Sequence, residues 1–168
     1  MNAADEVSLS LVDKMRFTAH TRSAHEITVD SGVGAGADDM GARPMEIVLV
    51  ALGSCMGMDT ISILRKMRQD VTSYEITVTG QRATEHPRVF TTIAMRHRLR
   101  GPSLAEANVA RALQLSVSRY CPVYAMLDAS VEISVNYELT DDTTGAVATG
   151  EVEREAPVAA ETTLTGGS

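Results

Sequence analysis

Residues 43–59, with the sequence RPMEIVLVALGSCMGMD, decide the fold. Pro44 suits the first turn of a helix, because its missing N–H group costs nothing there. From Ile47 to Met58 nearly every side of such a helix is apolar or small, a pattern typical of a helix that is buried on all sides. We expect one long helix from Pro44 to about Gln69, with a basic last turn that complements the helix dipole.

Alternation of apolar and polar residues on both sides of this helix predicts six β-strands, at 7–12, 14–20, 24–30, 73–83, 89–100 and 130–139. Between the last two strands, Ser103 and Glu106 form a capping box that begins an amphipathic helix. A short helix follows Pro122. The predicted fold class is therefore α+β.

The length of 168 residues fits a single domain with a sizeable core. Composition changes near the C-terminal end, where residues 140–168 contain no aromatic residue and are dominated by Thr, Glu, Ala and Gly. We therefore expect the domain to span residues 1–139 and residues 140–168 to form a disordered acidic tail.

The charge and the N-terminal sequence exclude several function classes. A net charge of -7 leaves no basic stripe to neutralise phosphates, which argues against nucleic acid as a partner. The start, MNAADEVSLS, lacks the basic and apolar regions of a signal peptide. The apolar stretch 45–58 contains Glu46 and is too short to span a bilayer. We expect a cytoplasmic protein without a membrane partner, in which two cysteines are reduced core residues or redox-active thiols.

The two cysteines have opposite local environments. Cys121 precedes Pro122 and so occupies the N-cap of the following short helix, where the helix dipole and nearby Arg119 favour a thiolate. A buried cysteine that merely ends one helix is the alternative. Cys55 lies in the most apolar part of the long helix, where desolvation raises the pKa of a thiol, and Asp59 one turn later disfavours a thiolate. The local pattern alone favours a core role for Cys55.

The sequence offers no clear sign of a metal or a cofactor. The four histidines lack the spacing of a zinc site, and no CxxC motif accompanies them. No glycine pattern of a nucleotide-binding loop precedes a suitable helix. We therefore expect neither a metal nor a cofactor.

The pattern as a whole resembles the OsmC/Ohr superfamily, and more specifically its OsmC-like branch. Strands precede a buried helix that carries the motif AL-x-x-C-x-x-x-D at residues 51–59. A strand pair and a second helix follow, and this helix ends in the sequence CPV at residues 121–123. The resemblance covers about residues 15–137.

This resemblance implies a fold with antiparallel sheets packed around a long buried central helix, assembled as an intertwined homodimer. It also implies a thiol peroxidase that reduces organic (alkyl or lipid) hydroperoxides. Cys55 would be the thiol that attacks the peroxide and becomes a sulfenic acid, and Cys121 would resolve it into an intramolecular disulfide. Arg22 best matches the arginine that stabilises the thiolate. A small dithiol or a lipoyl-bearing protein would regenerate the thiols, without a bound cofactor.

Two departures from the family pattern leave the activating groups open. Members of the family carry a Glu directly after the Pro of the helix start, where it holds the arginine, whereas this chain has Met45 there and Glu46 one residue later. Glu46 lies about half a helical revolution from Cys55, so a regular helix turns it away from the sulfur. Asp59 is the acid that faces the sulfur instead.

The position of the arginine is also open, because Arg43 is nearer to Cys55 in sequence than Arg22 is. These departures favour an alternative function, in which a redox-inactive OsmC-like dimer binds a small apolar ligand in its cleft.

Overall fold

The computed structural model describes residues 4–152. Its helices and strands follow the order β1 (Val7–Asp13), β2 (Arg16–Thr21), β3 (Glu26–Val29), α1 (Pro44–Lys66), β4 (Ser73–Arg82), β5 (Phe90–Gly101), α2 (Glu106–Leu115), α3 (Pro122–Leu127), β6 (Glu132–Asp141) and β7 (Val147–Glu151). A 3-10 turn spans Val33–Ala35, and a π-helical turn spans Ser116–Tyr120. The α+β class is confirmed, and the chain divides into two compact units, residues 1–51 and 52–168.

The first unit contains a three-stranded antiparallel sheet in the order β1-β2-β3. Leu9 pairs with Ala19, and Ala19 pairs with Ile27, so these three side chains share one face of the sheet. Leu11 and Phe17 pair directly on the same face. Leu9 and Leu11 are 57% and 60% exposed, so this apolar face is open to solvent in the single chain.

The second unit contains a four-stranded sheet in the order β4-β5-β6-β7. The outer pairs are antiparallel, but β5 and β6 are parallel, with Thr92 opposite Glu132 and Gly101 opposite Asp141. The prediction of antiparallel sheets is therefore wrong for the pair β5–β6 and holds for the other two pairs of this sheet. The connection between β5 and β6 contains both α2 and α3, and a crossover of this length can return the chain to the end of the sheet from which β5 started.

Two glycines allow α1 to approach β4 closely. A Cβ atom on Gly57 would lie 2.6 Å from Cδ1 of Ile76, and one on Gly53 would lie 2.9 Å from Cγ2 of Val78. Buried apolar residues of α1 and of β5 form the core of the second unit: Leu52, Met56, Leu64, Ile93, Met95 and Leu99. The sheet therefore covers one side of the helix at short range.

The opposite side of α1 is not buried in the single chain. Met58 is 66% exposed and Val50 is 63% exposed. The expectation of a helix buried on all sides is therefore wrong for one chain, because the sheet of the second unit covers only the side that carries Gly53 and Gly57. An 18-residue window of the 23-residue α1 has a mean hydropathy of 1.9, so by length and composition alone this helix is long and apolar enough to cross a membrane, although the expectation for the shorter stretch 45–58 was that it is not. The core helix of a soluble protein passes the same test.

The C-terminal segment is partly ordered, contrary to the prediction of a tail from residue 140. Strand β6 continues to Asp141, and β7 pairs with it through Thr140 and Val147. In the turn that follows β6, Asp142 accepts hydrogen bonds from Thr72 at 2.6 Å and from Arg100 at 2.8 Å. Alternation in β7 is too short and too polar to stand out in the sequence. The rest of the predicted tail, residues 153–168, lies outside the described residues.

The predicted capping box is also wrong. The N-cap of α2 is Ala105, and its N–H group donates to Oε1 of Gln69 at 2.9 Å. Ser103 has a positive φ of 54°, which places it in a turn before the helix. Glu106 accepts a hydrogen bond from the Tyr137 hydroxyl at 3.1 Å. A residue near the end of α1 thus caps α2, and no local sequence pattern contains this information.

Candidate active site

Cys55 lies in the middle of α1, on the boundary between its buried and exposed sides. Its neighbours in sequence, Met56 and Gly57, are buried, whereas Ser54 is exposed. Cys55 itself is partly exposed, and it is reduced. Asp59 follows one turn later on the same face of the helix, since residues four apart are neighbours on a helix surface. The helix therefore presents a thiol and a carboxylate together.

Cys121 is the N-cap of α3, as predicted. Its backbone is extended, with φ of -76° and ψ of 103°, because the following proline disfavours the helical region. Its sulfur accepts a hydrogen bond from the N–H group of Tyr124 at 3.3 Å. The π-helical turn precedes it, and the Cys121 N–H group donates to the Ser116 carbonyl at 2.9 Å. With 3% of its surface exposed, Cys121 is buried.

The fold of the second unit brings these groups together. The sulfur atoms of Cys55 and Cys121 and a carboxylate oxygen of Asp59 all lie within 4.8 Å of one another. The hydroxyl of Ser116, a fully buried residue, donates to Oδ2 of Asp59 at 3.1 Å. Asp59 therefore faces the sulfur of Cys55, as the helical spacing predicts. Sequence reasoning missed Ser116, because a serine near the end of a helix carries no local sign of a distant acceptor.

Burial dominates the electrostatics of Cys121. Desolvation is the largest cause of a shift that raises the pKa of Cys121 to about 12, and the neighbouring Cys55 adds to the rise. The Tyr124 N–H group acts in the opposite direction, but it does not compensate for burial. The expectation of a thiolate at Cys121, based on the helix dipole and Arg119, is therefore wrong. The Arg119 guanidinium lies over the ring of Tyr120, 5.7 Å from its centroid.

A cleft of about 340 Å³ reaches Asp59 from the surface of the second unit. Its walls are mainly apolar, and Lys66 is the basic residue that lines it. The other lining residues come from α1 and the residue after it, from the end of α2 and from the π-helical turn: Ser62, Ile63, Met67, Leu115 and Tyr120. An apolar molecule can therefore approach the carboxylate that lies beside the two sulfurs.

The OsmC-like protein family matches residues 36–136 of this chain. The chain belongs to the OsmC-like family. Protein YhfA of Escherichia coli strain K12 is 41% identical over 128 residues, which are 76% of this chain and 92% of YhfA. A solved structure from Aquifex aeolicus VF5 is 30% identical, with a TM-score of 0.74 over 84% of this chain and 99% of that one.

An organic hydroperoxide resistance protein from Elizabethkingia anophelis shares the fold at 12% identity. The TM-score is 0.60 over 84% of this chain and 99% of that one. Together these comparisons confirm that the α+β architecture is that of OsmC-like proteins.

Near the start of α1 in this OsmC-like chain, Arg43 and Glu46 bond to each other. The Arg43 N–H group donates to Oε2 of Glu46 at 2.9 Å, and Nη1 of Arg43 lies 3.3 Å from Oε1. Glu46 thus closes the first turn of the helix, and this backbone hydrogen bond lowers its pKa. Nη2 of Arg43 also pairs with Asp39 at 3.1 Å. Two carboxylates of the first unit therefore hold the Arg43 guanidinium.

Arg22 lies in the turn between β2 and β3, where its side chain is exposed. It lines a small cleft of the first unit together with Asp5, Glu6 and Ser23. Its role at the thiolate stays a prediction.

Of the four histidines, His97 is fully buried, and its Nδ1 atom lies 2.7 Å from the Tyr74 hydroxyl. His20 pairs with Glu26 at 3.3 Å on the first sheet.

Proposed function

We propose that this OsmC-like protein is a thiol peroxidase that reduces organic hydroperoxides through Cys55 and Cys121. The observation that carries the proposal is the approach of the two sulfur atoms to within 4.8 Å, although the cysteines lie on elements far apart in sequence. Two reduced thiols at this distance need only a small movement to form a disulfide. The fold shared with a protein named for organic hydroperoxide resistance supports the same reaction class.

The reaction balances with two electrons from the thiols. The Cys55 thiolate attacks one peroxide oxygen, an S–O bond forms, the O–O bond breaks, and the alkoxide takes a proton and leaves as an alcohol. Cys55 is then a sulfenic acid. The Cys121 sulfur loses its proton and attacks the Cys55 sulfur, the S–O bond breaks, and water leaves. A dithiol reductant, either a small molecule or a lipoyl-bearing protein, returns both electrons by thiol–disulfide exchange.

The environment of each thiol supports this order of events. Cys55 is partly exposed whereas Cys121 is buried, so a hydroperoxide reaches the Cys55 sulfur more easily. Cys121 keeps its proton, since burial and the charge of Cys55 both raise the pKa of Cys121. Once Cys55 is a neutral sulfenic acid, its charge no longer opposes ionisation of Cys121. The first step therefore prepares the second.

The exposed apolar surfaces support a homodimer. One face of the first sheet carries exposed Leu9, Leu11 and Ile27, and α1 exposes Met58. An open apolar face of this kind on a soluble chain is typical of a protein–protein interface. A second copy of the chain would cover it, and Arg22 of either copy would then supply the cation that stabilises the thiolate and the leaving alkoxide.

A second candidate function is binding of a small apolar ligand by a redox-inactive dimer. The observation that favours it is the pairing of Glu46 with Arg43, which places the acid of the helix start in a capping role. The apolar walls of the cleft beside Asp59 would then hold the ligand. Under this alternative both thiols remain reduced in the presence of hydroperoxides.

Anaerobic single-turnover oxidation tests the proposal. The reduced protein is mixed with one equivalent of cumene hydroperoxide or of hydrogen peroxide, and free thiols and intact mass are followed over time. With cumene hydroperoxide, we expect both thiols to disappear at the same rate. With hydrogen peroxide, we expect the same loss to be slower. Peptide mapping should then show a Cys55–Cys121 disulfide.

Two variants identify the role of each thiol in that experiment. Cys121→Ser should stop at a sulfenic acid on Cys55 that dimedone traps, whereas Cys55→Ser should not react. Thiols of the wild-type protein that survive both oxidants would exclude the peroxidase and favour ligand binding.

A further inference from the structure

The two sulfurs and the carboxylate at the candidate active site have the chemistry of a transition-metal site. Cys55, Asp59 and Cys121 each offer one ligand atom, and these atoms lie within 4.8 Å of one another. Thiolate and carboxylate together suit Zn²⁺, whereas Ca²⁺ and Mg²⁺ require more oxygen ligands than the single carboxylate supplies. We propose that the reduced protein binds one Zn²⁺ ion through Cys55, Asp59 and Cys121.

The geometry of the three ligand atoms fits a tetrahedral ion after a small contraction. With a Zn–S bond of about 2.3 Å, two sulfur ligands lie about 3.8 Å apart, and a sulfur and an oxygen lie about 3.6 Å apart. The observed separations, at most 4.8 Å, exceed these values by at most about 1.0 Å for the two sulfurs and about 1.2 Å for a sulfur and the oxygen. Side-chain rotations of Cys55 and Asp59 on the same face of α1 close this gap.

Hydrogen bonds already orient two of the ligands. The Ser116 hydroxyl donates to Oδ2 of Asp59 at 3.1 Å, and the carboxylate keeps further acceptor positions for the ion. The Tyr124 N–H group bonds to the Cys121 sulfur at 3.3 Å. Such supporting hydrogen bonds are typical of metal sites in proteins, because they fix the direction of each ligand.

The cleft beside Asp59 opens one side of the proposed site to the surface. It reaches Asp59 from the surface, so a water molecule can complete the tetrahedron. Three protein ligands and one water form an open zinc site, in contrast to the closed sites of purely structural zinc. The proposed site is therefore an open zinc site, in which the water ligand can be exchanged.

Oxidation and zinc binding exclude each other at this site. A disulfide between Cys55 and Cys121 removes both thiolate ligands, the two electrons pass to the oxidant, and Zn²⁺ leaves. The ion in turn blocks the peroxide from the Cys55 sulfur. The inference does not rest on the proposed peroxidase activity, because any oxidant of thiols, such as diamide, produces the same disulfide.

Titration of the reduced, anaerobic full chain with Co²⁺, followed by displacement with Zn²⁺, tests the inference. We expect one ion per chain, an intense thiolate-to-cobalt charge-transfer band, and d–d bands with the intensity of a tetrahedral site. Asp59→Asn should weaken Zn²⁺ binding by at least about tenfold in competition with a chelator. The matched control Asp70→Asn changes an exposed carboxylate after α1 and should leave the affinity unchanged.

A second arm keeps the test decisive if a cysteine variant fails to fold. Wild-type protein oxidised with diamide should lose Zn²⁺ binding and regain it after reduction by dithiothreitol and its removal. A Co²⁺ spectrum without the charge-transfer band, or equal affinities of the Asp59 and Asp70 variants, overturns the site. Equal Zn²⁺ affinity of the oxidised and reduced protein also overturns it. None of these results depends on turnover of a hydroperoxide, so failure of the zinc site and failure of the peroxidase are distinguishable.

Discussion

The buried hydroxyl of Ser116 donates a hydrogen bond of 3.1 Å to the Asp59 carboxylate, one helical turn from Cys55. This bond joins the π-helical turn that precedes Cys121 to the helix that carries Cys55. The two sulfur-bearing segments are therefore held together by a polar contact, even while both thiols are reduced.

Removal of this hydroxyl should destabilise the protein. In Ser116→Ala, a partly buried carboxylate loses its donor, so we expect the free energy of unfolding to fall by about 1–2 kcal/mol. The matched control is Ser118→Ala, because the exposed Ser118 hydroxyl donates only to the Gln114 carbonyl one turn earlier. Urea unfolding of the reduced proteins measures both values. Equal losses in the two variants would contradict a special role for the Ser116–Asp59 bond.

Neutralising Asp59 should make the thiols more reactive. The carboxylate lies within 4.8 Å of both sulfurs, and a nearby negative charge disfavours a thiolate. In Asp59→Asn we therefore expect iodoacetamide to alkylate the protein about three- to tenfold faster at neutral pH. Asp70→Asn serves again as the control and should react like the wild type. Slower alkylation of the Asp59 variant would show that the carboxylate assists the thiols instead.

Buried His97 should make stability depend on pH. Desolvation lowers the pKa of His97 from 6.5 to about 4, so the unfolded chain binds a proton in a range where the folded chain does not. The contribution of neutral His97 to the free energy of unfolding is fully present above pH 6.5. This contribution is lost as the pH falls from 6.5 towards 4. The total loss from this group is about 3 kcal/mol.

The variant His97→Gln isolates this contribution from that of the carboxylates. Urea unfolding of both proteins in steps between pH 7 and pH 4 gives the two pH profiles. We expect the difference in unfolding free energy between wild type and variant to shrink as the pH falls. Parallel profiles would mean that His97 is not the group that titrates.

The close packing of α1 on β4 predicts an unusual response to alanine. Gly→Ala in a helix normally stabilises a protein by about 1 kcal/mol. In Gly57→Ala, however, the new Cβ would lie 2.6 Å from Cδ1 of Ile76. We therefore expect overpacking to lower the free energy of unfolding by about 1–3 kcal/mol. Ile76→Val removes that methyl group, and the double variant should recover part of the loss. Thermal unfolding of the single and double variants measures the recovery, and additive losses would contradict the steric explanation.

The sequence predicted those elements whose signal is local. Alternation of apolar and polar residues identified β1 to β6. Pro44 at the start and the basic residues of the last turn identified α1. The spacing of Cys55 and Asp59 also predicted that these two side chains share a face. Each of these predictions depends only on residues a few positions apart, which is the range over which periodicity operates.

The remaining features depend on contacts between distant segments. The pKa of Cys121 follows from burial by the folded unit, so the helix N-terminus alone gave the opposite expectation. Gln69 caps α2 across 36 positions of sequence, and Ser116 bonds to Asp59 across 57. The parallel pairing of β5 and β6 likewise depends on the path of the crossover. Local patterns carry no information on any of these partners.

The position of Cys121 at the head of α3 links oxidation to the backbone of that helix. In the reduced chain, the sulfur that would form the disulfide accepts a hydrogen bond from the Tyr124 N–H group. A sulfur drawn towards Cys55 turns away from that amide, and a short helix of six residues has few other bonds to keep its first turn closed. Amide hydrogen exchange at Tyr124 would then report the redox state of the thiols.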